Sequence, residues 1–407
     1  MSKRTLSGLD VAGKRVLVRV DFNVPIEPGM DSTAASAAIA AYDQRLRATL
    51  PTVEYLLEQD CRVILCSHLG RPGGKVDQSL RLAPVGDRLA KLLKRPVQNL
   101  SDCVGPQVES AIGSMQPKDI VLLENLRFHL GEEKNQPEFA KKLSKLADCF
   151  VMDAFAVAHR AHASIVGVGQ HLPAAMGLLF QREVESMGKA LESPEPPMAA
   201  LLGGAKVSDK ILVLENLLDK LDQLYIGGGM SVTFLRCQGY QTGASAVEED
   251  RLDFAKELLE RARSQEIRVC LPQDLVVASE FAADPREVRT VPADGVPEGW
   301  YIMDIGAESA SSFAKGLAKC KTIIWNGPMG VFEMPRFKLG TRRVATAIGG
   351  LKDSTAATTI VGGGSTAEAV EELGLVDRMT HVSTGGGASL EFLEGKELPG
   401  IAALPDA

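Results

Sequence analysis

The sequence predicts an α/β protein built from two parallel-sheet domains, and three observations carry that expectation. Short runs of Val, Ile and Leu alternate with amphipathic helical stretches from end to end, the pattern of parallel strands joined by crossover helices. The chain has 407 residues, which suits two domains of roughly 100 to 200 residues each. Its hydrophobic fraction of 45% comes with only 5% aromatics, as in a soluble, Val/Leu/Ala/Gly-rich α/β chain rather than a membrane or disordered one.

In the first half, strands are expected at 15–20, 61–67, 119–124 and 149–153, with helices near 46–59, 82–94 and 136–147. The second half repeats the scheme, with strands near 198–202, 223–226, 268–271, 300–305, 321–325 and 358–361. A helix near 182–192 and the turn SPEPP at 193–197 fall where the character of the loops changes, so the domains are set at 1–181 and 182–392. The Ala-rich stretch 32–42 reads as an inserted helical turn or a flexible surface excursion. No repeat of solenoid period is evident.

Charge and cysteine content exclude several classes. A net charge of -7 and a pI near 5.6 argue against nucleic-acid binding, which wants a basic face. The N-terminal residues lack the apolar core of a signal peptide, and no run is apolar for the roughly 18 residues of a membrane span, so no membrane association and a cytoplasmic location are expected. Seven cysteines, an odd number without a CxxC pair, argue against a disulfide framework and a zinc ribbon.

The strand ends differ between the halves. In the first they run into basic or amide residues: VRVDFN, CSHLGRP, ENLRF and DAFAVAHRAH. Asp21 and Asn23, His68 and Arg71, Arg127, and Arg160 thus sit at or just beyond the carboxyl ends of four strands, where open α/β sheets place ligand loops. Arginine presents a rigid fork of donors matched to carboxylate and phosphate, so their convergence predicts a pocket for a small, multiply charged anion. His159 and His162 form HxxH, but without a Glu in an HExxH frame or cysteines at ligand spacing this is weak evidence for a metal. His129, His171 and His381 read as ordinary structural or surface histidines.

In the second half the strand ends run into glycine: LLGGAK, YIGGGM, IVGGGST and STGGGAS. Such loops let backbone N–H groups approach phosphates, and a helix starting there adds its positive end. Neither a GxxxxGK[ST] loop nor a GxGxxG fingerprint is present, so a nucleotide site here follows another design. Lys206 and Lys210 read as one face of a helix start, two cations that would repel unless an anion lies between them. Asn326 and Glu333 belong to the segment IIWNGPMGVFE, suited to a tight turn beneath a ligand.

Together VRVDFNVP, SHLGRP, LLENLRFH, AHRAHAS, LGGAKVSDK, GGGM, WNGPMGVFE and STGGGASLEFLEGK resemble the phosphoglycerate kinase family, in order and over nearly the whole chain. The resemblance implies two Rossmann-like domains joined by a hinge, with the tail from about 393 returning to the first. It implies reversible phosphoryl transfer between 1,3-bisphosphoglycerate and ADP, giving 3-phosphoglycerate and ATP with Mg2+, in glycolysis, gluconeogenesis or carbon fixation, by a monomer. On the acid side it implies Asp21, Phe22, Asn23, Arg45, His68, Leu69, Gly70, Arg71, Arg127 and Arg160, with Arg45 and Lys206 catalytic. On the nucleotide side it implies Gly203, Gly204, Lys206, Lys210, Asn326, Glu333, Gly363, Gly364, Ser365 and Thr366. A carboxylate acceptor is already ionised at neutral pH, so the reaction needs charge neutralisation and closure against water rather than a general base.

Three departures from the family pattern stand out. The loop before Arg45 is lengthened by the Ala-rich stretch, and Ala156 and Val157 replace the usual Gly-Thr. Ser365 stands where the family has a magnesium-binding aspartate, so metal binding there is expected to be weak or water-mediated. The competing readings are a catalytically weakened binding protein, motivated by Ser365, and an NAD-dependent dehydrogenase, which lacks its GxGxxG here.

Overall fold

The computed structural model describes residues 3–26, 30 and 32–407. Its contacts divide the chain into two units: residues 1–185 with 397–407, and residues 186–396.

The first unit is built on a six-stranded parallel sheet of β1 (Arg15–Arg19), β2 (Arg62–Cys66), β3 (Gln98–Asn99), β4 (Ile120–Leu122), β5 (Cys149–Met152) and β6 (Ala174–Met176), in the order β3-β4-β2-β1-β5-β6. Helices cover both faces of such a sheet, which explains why the strands are apolar runs without alternation. Val16, Leu17 and Val18 of β1 and Val63, Ile64 and Leu65 of β2 are all buried. The helix Gln44–Glu58 lays Leu46, Val53, Leu56 and Leu57 into this core, and Pro51 sits inside it. The Ala-rich stretch is helical over Ser32–Ala41.

From β1 the chain first builds β2, β4 and β3 on one side, then crosses to β5 and β6 on the other. The point where the order reverses lies between β1 and β5, and crevices form at the carboxyl ends of strands at such points. Residues 397–407 complete this unit: Gly400 N donates to Ala158 O at 2.8 Å, Arg4 N to Pro405 O at 2.9 Å, and Lys3 Nζ to Leu404 O at 2.9 Å.

The second unit repeats the plan with β7 (Met198–Leu202), β8 (Gln223–Ile226), β9 (Arg268–Cys270), β13 (Thr322–Asn326), β14 (Thr358–Gly362) and β15 (His381–Val382), in the order β15-β14-β13-β7-β8-β9. Here the order reverses between β7 and β13. The strand expected at 300–305 does not join this parallel sheet. It forms β12 (Tyr301–Ile305), paired antiparallel with β10 (Asp274–Ala278), whose other neighbour is β11 (Val288–Pro292). The turn before β11 returns the chain beside β10, a short connection that only antiparallel pairing permits.

Asp153, directly after β5, is fully buried, and its Oδ1 accepts from the backbone N–H of Leu179 and Phe180 at 3.0 and 3.2 Å. It thereby caps the helix Leu178–Glu192. Burial pushes its pKa up to about 7, against the lowering effect of the hydrogen bonds it accepts, and its Oδ2 has no hydrogen-bond partner among the described residues. The protonated form therefore adds stability that is complete below pH 3.8 and is lost as pH rises past about 7. Asp153→Asn keeps the capping oxygen without the charge. Its melting temperature at pH 8 is expected to exceed the parent's by a few degrees, about the effect of 1 kcal/mol in such a domain, with the gap closing toward pH 4. An unchanged gap across that range would contradict this account.

Candidate active site

In the first unit the residues at the strand ends form one hydrogen-bonded constellation. Asp21 follows β1, is nearly buried, and accepts from the Arg45 guanidinium and from Asn23 N at 3.0 Å. Asn23 Oδ1 accepts from Gly70 N at 2.8 Å, tying the loop after β1 to the loop after β2. Phe22 N donates to Ser67 Oγ at 2.9 Å. Asn125, after β4, ties in the third loop: its Oδ1 accepts from Leu69 N and Arg127 N at 3.1 Å, and its Nδ2 donates to Leu69 O at 2.7 Å. Arg127 is buried and donates to Gly70 O at 2.6 Å. Arg160 lies half-buried on the loop after β5, and Arg71 is exposed on the loop after β2.

These cations crowd one another. Burial, then Arg160, holds Arg127 down to about 10, and burial, then Arg71, lowers Arg160. Burial also drives His68 well below 6.5, with Arg19, Arg127, Arg160 and Arg45 adding to it. A guanidinium can only donate, so the 3.2 Å contact from Arg19 Nη2 marks His68 Nδ1 as the unprotonated nitrogen, and Nε2 carries the hydrogen. The 3.9 Å approach of Nδ1 to Asp21 is then no hydrogen bond. Such a set of mutually depressed cations is relieved by an anion.

Beneath these residues lies a network that the sequence did not disclose. Arg19, the last residue of β1, is 1% exposed and donates through Nε to Ser164 Oγ at 2.8 Å. Ser164 in turn donates through Oγ and N to the two carboxylate oxygens of Glu132, at 2.6 and 3.0 Å. Glu132 is wholly buried and lies 3.8 Å from His162 Nδ1. A buried charge is tolerated when paired and hydrogen-bonded, and this one sits as the counter-charge within the Arg19 network.

In the second unit the loops after β7 and β13 meet backbone to backbone. Gly203 N donates to Asn326 O at 2.9 Å and Gly204 N to Pro328 O at 3.1 Å. Gly327 has φ +103°, and a Cβ there would lie 2.2 Å from the Gly203 backbone, so only glycine fits. Gly363 caps the helix Gly364–Glu372, and Thr366 Oγ1 in its first turn accepts from Gly327 N at 2.7 Å. The N–H groups of residues 364 and 365 begin a helix and have no partner within it, a position that favours anions.

Lys210 Nζ donates to Asn326 Oδ1, while Asn326 Nδ2 is buried, faces the Gly363 turn, and has no hydrogen-bond partner among the described residues. The two lysines do not share a helical face. The α-helix begins only at Ile211, after the turn Ser208–Lys210, which leaves Lys206 exposed on the preceding loop while Lys210 is half-buried. Glu248 Oε2 accepts from Val207 N at 2.5 Å and Ser208 N at 3.3 Å, and this contact holds the loop in its turn.

Beside these loops opens a cavity of about 650 Å³. Gly204, Gly228, Gly229, Pro328 and Ser365 form one side, and Leu275, Phe281 and Tyr301 of the antiparallel sheet region form much of the rest. Glu333 lines it and is exposed. An apolar slot lined by glycines and by Ser365 at a helix start suits a flat heterocycle carrying phosphates.

Comparison with known proteins agrees. A sequence model of the family described as Phosphoglycerate kinase matches residues 6–396. The chain is 54% identical to a phosphoglycerate kinase of Moorella thermoacetica and 51% identical to one of Synechococcus elongatus, each alignment covering 100% of both chains. Its fold is similar to the phosphoglycerate kinase of Coxiella burnetii, with a TM-score of 0.85 at 42% identity, and to that of Pyrococcus horikoshii, at 0.83 and 32%, each over 98% of both chains. From the arginine pocket, the glycine-lined cavity and these full-length likenesses together, the chain belongs to the phosphoglycerate kinase family.

Proposed function

We propose that the arginine pocket of the first unit holds 3-phosphoglycerate or 1,3-bisphosphoglycerate, and that the glycine-lined cavity of the second holds ADP or ATP. As a member of its family the chain is an ATP-dependent kinase, and it moves a phosphoryl group reversibly between these substrates. The observation that carries the acid-side reading is the gathering of His68, Arg71, Arg127 and Arg160 on the loops beyond β2, β4 and β5 at the switch point of the sheet, where burial, and then one another's charges, lowers the pKa values of His68, Arg127 and Arg160. In the acid pocket Arg127, Arg160, Arg71 and the Nε2–H of His68 bind the phosphate and carboxylate, and Asn23 and Asp21 orient the glycerate hydroxyl. Phe22, Leu69 and Gly70 shape its wall through their backbones.

On the nucleotide side, Lys210, the free Nδ2 of Asn326 and the N–H groups of the Gly363–Thr366 turn bind phosphates, with Gly203 and Gly204 letting them approach. Glu333 accepts from ribose hydroxyls. The acceptor carboxylate needs no base, so Arg45 and Lys206 serve by neutralising charge on the group in flight.

Magnesium fits this donor set poorly. It favours one or two carboxylates besides substrate phosphates and water. At the Gly363 turn the protein offers the Ser365 hydroxyl, while the Thr366 hydroxyl already accepts from Gly327. Asp304, on the cavity wall, has Oδ1 and Oδ2 occupied by the N–H groups of Ile305 and Gly340, and burial pushes its pKa up to about 7. Ser365→Asp is therefore expected to lower the magnesium concentration for half-maximal activity about tenfold, the effect of roughly 1.4 kcal/mol. Superimposable magnesium titrations for parent and variant would remove this expectation.

The activity itself is tested by a coupled assay with 3-phosphoglycerate, ATP and magnesium. Turnover supports the kinase, and nucleotide binding without turnover supports a weakened binding protein. Cytoplasmic action as a monomer, in glycolysis or carbon fixation, belongs to the same proposal. Among the described residues no helix is long and apolar enough to cross a membrane.

A further inference from the structure

Two residues beyond Arg127 stands His129, and with it converge two further side chains able to ligate a metal, a thiol and a carboxylate. Cys103 Sγ, His129 Nε2 and an Asp102 carboxylate oxygen lie within 4.8 Å of one another. Around a tetrahedral zinc with bonds of about 2.0 to 2.3 Å, ligand atoms sit roughly 3.3 to 3.8 Å apart, so modest side-chain motion closes the set. At present His129 Nε2 donates to Asp102 Oδ1 at 2.6 Å, and Cys103 Sγ donates to Glu124 O at 2.9 Å. Phe139 stacks on the imidazole at 5.0 Å between centroids and fixes its plane.

Cys103 is fully buried, whereas the Asp102 and His129 side chains are 52% and 30% exposed, so a cation approaches from their side and meets the thiol last.

We propose that Asp102, Cys103 and His129 bind one zinc-class divalent cation, and that its capture weakens substrate binding in the arginine pocket. Thiolate with imidazole selects zinc over magnesium, and water completes the fourth position. On binding, the Cys103 thiol proton is released to solvent. In the neutral imidazole the ring proton moves from Nε2 to Nδ1.

The coupling follows from the loop. Leaving Glu124 O frees the backbone one residue before Asn125, which holds Leu69 N and Arg127 N, and His129 N is itself bonded to Leu126 O at 3.1 Å. Motion at the metal therefore reaches Arg127 over three residues on one side and two on the other. This second part rests on the reading of the arginine pocket as the acid-substrate site.

The test uses the whole chain, stripped by chelation and titrated with cobalt(II) alone. One equivalent is expected to produce thiolate-to-cobalt charge-transfer absorption with tetrahedral d–d bands, absent in Cys103→Ser and strongly reduced in His129→Gln. The latter variant alters a partly exposed side chain and keeps the activity seen with magnesium and no zinc. No charge-transfer band in the parent, or an unchanged band in both variants, overturns the site.

For the coupling, stoichiometric zinc in excess magnesium should raise KM for 3-phosphoglycerate about tenfold while kcat changes less than about twofold, and His129→Gln should not respond. An intact cobalt spectrum with no zinc effect on KM overturns the coupling alone. If the acid-pocket reading were wrong, Arg127→Met would bind 3-phosphoglycerate as the parent does, whatever the cobalt spectrum.

Discussion

Arg45→Met should lower kcat by roughly 10² to 10³-fold and leave KM for 3-phosphoglycerate within about threefold of the parent. The guanidinium stands on the helix Gln44–Glu58, its side chain 35% exposed and its Nη1 held by the Asp21 carboxylate. A group paired with a protein carboxylate in the resting state gives little net binding to the ground-state acid. Its charge counts most where negative charge gathers on the moving phosphoryl group, a difference that enters kcat rather than KM. Arg47, one half-turn on, is the control: it pairs with Asp43 at 2.7 Å, and Arg47→Met should change stability but not kcat. A tenfold rise in KM with kcat retained would make Arg45 a substrate-binding residue only. Stopped-flow and steady-state rates with both substrates varied separate the two outcomes.

Lys210→Met is expected to weaken ADP and ATP binding by about 30 to 150-fold, the loss of roughly 2 to 3 kcal/mol for a charge-assisted phosphate contact. Burial lowers the pKa of this ammonium, and it donates to the neutral Asn326 Oδ1, so a phosphate oxygen meets a cation already partly stripped of water. Lys206 is exposed, and Lys206→Met should act mainly on kcat. Calorimetric titration with ADP reads the first effect directly. Equal affinity losses for the two variants would show that they act as one surface patch, which the separation of their environments argues against.

Much of this was legible because parallel strands buried on both faces leave plain apolar runs, and because loops at their carboxyl ends are where arginine and glycine accumulate. Residues at the strand ends, Asp21, His68, Arg127, Gly203 and Asn326 among them, therefore announce themselves. Short strands do not: Ala174–Met176 and His381–Val382 hold too few side chains for a period to show. The antiparallel sheet escaped because 300–305 looks the same in either sheet, and its direction is fixed by the connection before it, not by its own residues.

Arg19 and Glu132 were hidden for another reason. Arg19 closes the apolar run RVLVR and reads as a strand end at the surface, and Glu132 sits in HLGEEKN, a sequence that suggests water. Their burial is decided by Ser164, far along the chain. The Asp102, Cys103 and His129 cluster shares that origin, since no local spacing links residues 103 and 129. Lys206 and Lys210 show the converse error, a helical period assumed across residues that form a bend.

The first unit takes its edge from both ends of the sequence, with Lys3 and Arg4 bonded to Leu404 and Pro405 and with Ala158 bonded to Gly400. During synthesis, residues 186–396 leave the ribosome before those last contacts exist. The unit carrying the arginine pocket thus needs residues from both ends of the sequence, whereas the nucleotide unit is contiguous and has all its partners before the tail has emerged. A chain that ends before residue 397 should therefore keep nucleotide binding while its acid pocket stays incomplete.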